Sequence, residues 1–90
     1  MDLAANITVK GLVQGVGFRY FVYGVAVKLS LNGFTRNVYN GDVEIEVEGN
    51  RFAIESLIKE VKVGPRMSRV TDVVIEWKEP SNKFKQFSIK

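Results

Sequence analysis

Apolar and polar residues alternate from Ile7 through Val9 to Val13, against Thr8, Lys10 and Leu12, and predict a first strand over residues 7–13. Beyond a glycine-rich stretch the period changes. Phe18, Phe21, Val22, Val25, Ala26 and Leu29 recur at helical spacing and predict an amphipathic helix that stops near Ser30-Leu31-Asn32-Gly33. Gly24 inside it costs up to roughly 1 kcal/mol relative to alanine. Residues 34–39 read as a second strand, Asn40-Gly41 as a two-residue hairpin turn, and residues 42–48 as a third strand. In that third strand Val43, Ile45 and Val47 alternate with Asp42, Glu44, Glu46 and Glu48, so one face is buried and the other acidic and solvated. Asn50 is placed to cap a second helix whose stripe is Ile54, Leu57, Ile58 and Val61, and Gly64-Pro65 ends it. A fourth strand spans residues 69–77, with Val70, Val73, Val74, Ile75 and Trp77. After a loop at Pro80-Ser81-Asn82-Lys83, residues 84–89 form a short closing strand.

The order β-α-β-β-α-β with a short additional strand predicts the α+β, ferredoxin-like class, an antiparallel sheet with both helices on one face. Ninety residues, of which 46% are hydrophobic, fit one small domain over residues 1–90 with its own core. The chain has no cysteine, which excludes disulfides, thiolate metal sites and cysteine nucleophiles. It also has no histidine, so the commonest general base and metal ligand are missing, as is any phosphohistidine intermediate. The net charge of +3 suits anionic ligands without implying nucleic acid. Met1-Asp2-Leu3-Ala4-Ala5-Asn6 lacks the basic start and apolar run of a signal peptide, and no stretch is long enough to span a membrane. These features lead us to expect a soluble cytoplasmic protein. Trp77 is expected in the core, and Tyr20 and Tyr23 at the edge of the first helix stripe.

The candidate chemistry sits in Val9-Lys10-Gly11-Leu12-Val13-Gln14-Gly15-Val16-Gly17-Phe18-Arg19. A glycine-rich loop entering a helix presents several backbone N–H groups to one point, with the helix dipole behind them. Arg19 in the first helical turn is mildly unfavourable on dipole grounds, a cost that a bound anion reverses. The same glycines also suit a plain strand-to-helix turn that needs positive φ. The stretch is no Walker A loop, because the Gly-Lys-Ser/Thr ending is missing, and it lacks the third glycine of a dinucleotide fingerprint.

The stretch from Val9 to Arg19 resembles the first signature of the acylphosphatase family. Gly33-Phe34-Thr35-Arg36-Asn37, followed by Gly41, Val43 and Gly49, resembles the second in residues and spacing. Ala26, Leu29, Leu31, Gly64-Pro65 and Phe87-Ser88-Ile89 also fit, so the likeness runs nearly the whole chain. The resemblance implies a ferredoxin-like fold and cofactor-free, metal-independent hydrolysis of small acyl phosphates to a carboxylate and inorganic phosphate. It implies that Arg19 binds phosphate, that Asn37 positions the attacking water, and that the loop of Gln14, Gly15, Val16, Gly17 and Phe18 supplies backbone donors. The implied partners are the acyl phosphate substrate, with inorganic phosphate as product or competitive ligand, and the protein is expected to act as a monomer. Three positions depart from the pattern: Thr35 replaces a small apolar residue, Ser30 a glycine, and Leu12 a frequent arginine.

Two other functions are compatible with parts of this pattern. An RNA-binding module shares the element order, and Gly17-Phe18-Arg19-Tyr20-Phe21 faintly echoes an aromatic binding run. Those aromatics open a helix here, whereas base stacking needs them on a central strand, and the acidic third strand would repel phosphates. The other is a catalytically weak acylphosphatase-like module of the kind found in larger proteins that handle carbamoyl phosphate.

Overall fold

The strongest alternation in the chain becomes the middle strand of a sheet. In the computed structural model, which describes residues 2–90, the elements are β1 (Asp2–Leu12), α1 (Phe18–Lys28), β2 (Asn32–Asn37), β3 (Val43–Asn50), α2 (Arg51–Val63), β4 (Arg69–Lys78) and β5 (Phe87–Ile89). The strand order is β4-β1-β3-β2-β5. Ile7, Val9, Val43, Ile45 and Val47 are fully buried on the inner face of β1 and β3. They pack with Phe18 and Val22 of α1 and with Ile54 and Leu57 of α2, so both helices cover one face. The other face carries Glu44, Glu46 and Glu48 of β3, with Glu44 paired to Arg36 and Glu46 3.9 Å from Lys78.

The ferredoxin-like arrangement holds, and β4, β1, β3 and β2 pair antiparallel as expected. The fifth strand differs. β5 runs parallel to β2, with Gly33 opposite Phe87 and Thr35 opposite Ile89, which makes the sheet mixed. Its direction follows from the path of the chain. β4 forms one edge and β5 the other, so residues 79–86 must cross the open face before pairing begins. The crossing is fastened by Glu48, whose carboxylate accepts from Ser81 N–H at 2.8 Å, Ser81 Oγ at 2.6 Å and Asn82 N–H at 2.9 Å. Burial alone would raise the Glu48 pKa, but these donors, with Lys83 nearby, hold it below the ordinary glutamate value. Phe84 is still in the crossing and packs edge-on against Phe34, so the closing strand is shorter than the predicted 84–89.

Three other expectations need correction. β1 begins at Asp2 rather than Ile7, because the small residues Ala4 and Ala5 give little alternation signal while their backbone pairs with β3. The β2–β3 connection is not a two-residue Asn40-Gly41 turn. Val38 N–H donates to Asp42 O (2.8 Å) and Gly41 N–H to Val38 O (3.0 Å), leaving Tyr39, Asn40 and Gly41 between the closing pair. Gly41 takes φ 103°, a conformation suited to glycine at the end of a three-residue hairpin. Trp77 is 41% exposed, because its strand is an edge, and its ring lies under the Arg51 guanidinium.

Both helices end or begin as their sequences indicate. Asn50 caps α2, its side-chain oxygen accepting from Phe52 N–H and Ala53 N–H. At the end of α1, Leu31 N–H donates to Ala26 O and Ser30 N–H to Val27 O, a Schellman closure with buried Leu31 as its hydrophobic contact. The left-handed position in that closure (φ 57°) is held by Ser30, where glycine would be unstrained.

Candidate active site

β1 and β2 are both antiparallel to β3, hence parallel to each other, and their C-terminal ends lie at the same end of the sheet. Roughly 10 Å separates them, two strand spacings of about 4.8 Å. The loop after β1 carries Gln14 to Gly17, α1 starts with Phe18 and Arg19, and Asn37 ends β2. Asn37 lies opposite Val43, on the helix side of the sheet, so its side chain faces the start of α1. Arg19, Asn37, Gly15, Gly17, Phe18 and Tyr20 line one small hollow of about 110 Å³. The structure thus closes the one-strand gap between the glycine loop and Asn37.

The loop's shape follows from its glycines. Gly15 (φ 75°) and Gly17 (φ 78°) are left-handed, a conformation costing other residues roughly 1–2 kcal/mol. Gly17 occupies the N-cap of α1 and has no side chain to satisfy the first amides. Among the described residues no protein oxygen accepts from the N–H groups of Gly15 to Tyr20, and the first helical bond runs from Phe21 N–H to Gly17 O. Free donors clustered at a helix N-terminus have the chemistry to receive an anion. Val16 packs against the core and, like Gln14, does not line the hollow; Phe18 lines it and is 1% exposed, so its side chain anchors the start of α1.

Arg19 is half-buried, and its Nη1 donates to the main-chain oxygen of Lys90 at 2.7 Å. Lys90 is held in turn by its own N–H, which donates to Thr35 O. This contact joins residues 71 apart, and sequence reasoning did not find it. Nor did it find the side chain of Gln14, whose Nε2 donates to Val38 O (2.7 Å) and Asp42 O (2.9 Å). No periodicity reports either contact, because each depends on how the strands are ordered. Beside them Lys10 Nζ meets Asp42 Oδ2 at 2.9 Å.

A larger hollow of about 330 Å³ lies at the opposite end of the sheet, near Asp2, Ser30 and Glu48. The Glu48 carboxylate there is already occupied in fastening the crossing segment, so it is a structural anchor. Among the described residues no cluster of three or more carboxylates, histidines or cysteines is placed to hold a metal ion.

The acylphosphatase family model matches residues 5–89. The chain belongs to the acylphosphatase family. It is 42% identical to the acylphosphatase of Chlorobaculum tepidum over 84 residues, covering 93% of this chain and 91% of that one. The crystal structure of the Bacillus subtilis acylphosphatase superposes with a TM-score of 0.95 at 42% identity, covering 98% of each chain. The chain also superposes on full-length HypF, solved in a phosphate- and nucleotide-bound form, with a TM-score of 0.88 at 34% identity. There this whole chain spans 12% of the longer one. The protein is an acylphosphatase, a hydrolase acting on acyl phosphates with inorganic phosphate as product. Among the described residues no helix is long and apolar enough to cross a membrane.

Proposed function

We propose that the loop Gln14-Gly15-Val16-Gly17-Phe18 and Arg19 hold the phosphoryl group of a small acyl phosphate while Asn37 aims the attacking water. The observation that supports this reading is one hollow lined by Gly15, Gly17, Phe18, Arg19 and Asn37, beside a run of amides from Gly15 to Tyr20 that have no protein partner. Because the leaving group is a carboxylate with a pKa around 4, it departs without a proton from a general acid. A chain without histidine or cysteine therefore suits this reaction. The transition state is loose and spreads charge over the equatorial oxygens, so positioning and electrostatics do most of the catalysis.

Arg19 gives one donor to Lys90 and keeps the rest of its planar fork for two phosphate oxygens, a geometry lysine cannot copy. Asn37 accepts one water hydrogen through its side-chain oxygen and donates through its nitrogen, holding the water in line. The water oxygen bonds to phosphorus as the phosphorus–acyl oxygen bond breaks. The carboxylate leaves with the bonding pair, and the water proton passes to a phosphate oxygen. The products are a carboxylate and inorganic phosphate, and no cofactor enters the balance. On this reading the protein works as a cytoplasmic monomer.

The test is turnover of benzoyl phosphate with and without a metal chelator. Chelator-resistant turnover is expected, falling by about 10²-fold or more in folded Arg19→Ala and Asn37→Ala variants. A variant with undiminished turnover takes that residue out of the mechanism. A second reading, a phosphate-handling domain within a longer chain, is favoured by the likeness to HypF. It predicts that the 90-residue chain binds phosphate but turns over benzoyl phosphate only weakly.

A further inference from the structure

The two halves of the proposed reaction geometry hang on different elements. Phosphorus is placed by the loop after β1, and the attacking oxygen by Asn37 at the end of β2. β3 runs between those strands, so no ladder hydrogen bond joins them directly. The Gln14 side chain spans that gap. Both its partners, Val38 O and Asp42 O, are carbonyls, so the amide nitrogen must face them and both its hydrogens are used. Val38 and Asp42 are the pair that closes the β2–β3 turn, and Val38 directly follows Asn37. Gln14 in turn directly precedes Gly15. One half-buried amide thus ties the residue that opens the phosphate loop to the turn that fixes the end of the Asn37 strand.

We propose that the Gln14 side chain is a positioning residue that sets the distance between the phosphate loop and Asn37, a role beyond the backbone donation of the loop itself. This inference rests on the roles proposed above for the loop and Asn37. In-line attack tolerates little displacement, and an error of about 1 Å between reacting groups costs on the order of 10²-fold in rate. A glutamate at this position could not donate and would set a carboxylate against two carbonyl oxygens. A methionine keeps the length and bulk and removes both donors.

The experiment measures kcat and KM for benzoyl phosphate, and the inhibition constant of inorganic phosphate, for Gln14→Met in the native and Asn37→Ala backgrounds. In the native background kcat is expected to fall by about 10- to 100-fold with the phosphate inhibition constant unchanged. In the Asn37→Ala background Gln14→Met is expected to cost almost nothing further, since the group it places is gone. Unchanged kcat in the native background overturns the proposal, as does an equal fall in both backgrounds. A loss of phosphate affinity that matches the loss of kcat also overturns it, because the side chain would then serve only the shape of the loop. Hydrogen exchange of the Gln14 side-chain amide in the unaltered protein gives a readout that does not depend on a variant folding. Protection supports the tether, and exchange at the rate of free glutamine overturns it. If Asn37→Ala turns over at full rate, the reading of Asn37 fails and this role falls with it. If Asn37→Ala is slow and Gln14→Met is fast, only the positioning role fails.

Discussion

Thr35 is fully buried on the inner face of β2, and its hydroxyl has no hydrogen-bond partner. Its neighbours across the sheet are Ile45 and Ile89, which offer it no side-chain acceptor. Replacing it with valine exchanges the hydroxyl for a methyl of nearly the same size. Removing a buried unsatisfied hydroxyl recovers about 1–3 kcal/mol of desolvation, and the added buried methyl contributes up to about 0.8 kcal/mol. Part of this is discounted because the denatured chain already hides some surface, so Thr35→Val should stabilise by about 1–2 kcal/mol. In a domain of this size each kcal/mol raises Tm by about 4–8 °C. Urea unfolding should therefore show a higher midpoint with an unchanged slope. Thr35→Ala is the internal control. It also removes the hydroxyl but leaves a void, costing about 1 kcal/mol, and should lie close to the unaltered protein. A Thr35→Val midpoint at or below that of the parent would refute the reasoning and mean that the hydroxyl has a partner in solution.

Two further outcomes follow from other positions. Ser30→Gly relieves left-handed strain of roughly 1–2 kcal/mol at the end of α1 but gives the unfolded chain more freedom, worth about 0.4–1 kcal/mol. A net gain below about 1.5 kcal/mol in urea unfolding is expected, and a loss would show that the serine is held there by something besides geometry. The Glu48 carboxyl has a lowered pKa in the folded chain, so its contribution to stability is fully present above the ordinary value of 4.5. That contribution fades as pH falls through the lowered value. Denaturant midpoints across this acid range should drop less steeply for Glu48→Gln than for the parent, and parallel curves would show that the carboxylate does not hold the crossing segment.

The parts of this fold that were legible in the chain are those governed by local period and local chemistry. The strict alternation of Val43, Ile45 and Val47 located β3, and Asn50 marked the start of α2 through its capping oxygen. Arg19 could be assigned to a helix start and Asn37 to a strand, each from its immediate neighbours. What could not be read were contacts that depend on strand order. The parallel docking of β5, the grip of Lys90 on Arg19 and the reach of Gln14 to the β2–β3 turn join residues far apart in sequence. Trp77 was misplaced for a related reason, since hydrophobicity does not reveal which strand becomes an edge.

The grip of Lys90 on Arg19 bears on how the enzyme fails. Arg19 is oriented through a three-residue strand paired on one side only, the class of element that opens first under thermal agitation. If that strand peels away, the guanidinium loses its brace and Phe87 leaves one edge of the core, while the residues buried between β1, β3 and the helices stay packed. With Arg19 holding phosphate as proposed, inactivation on warming precedes the cooperative transition, so a melting curve would overstate the temperature to which the enzyme keeps working.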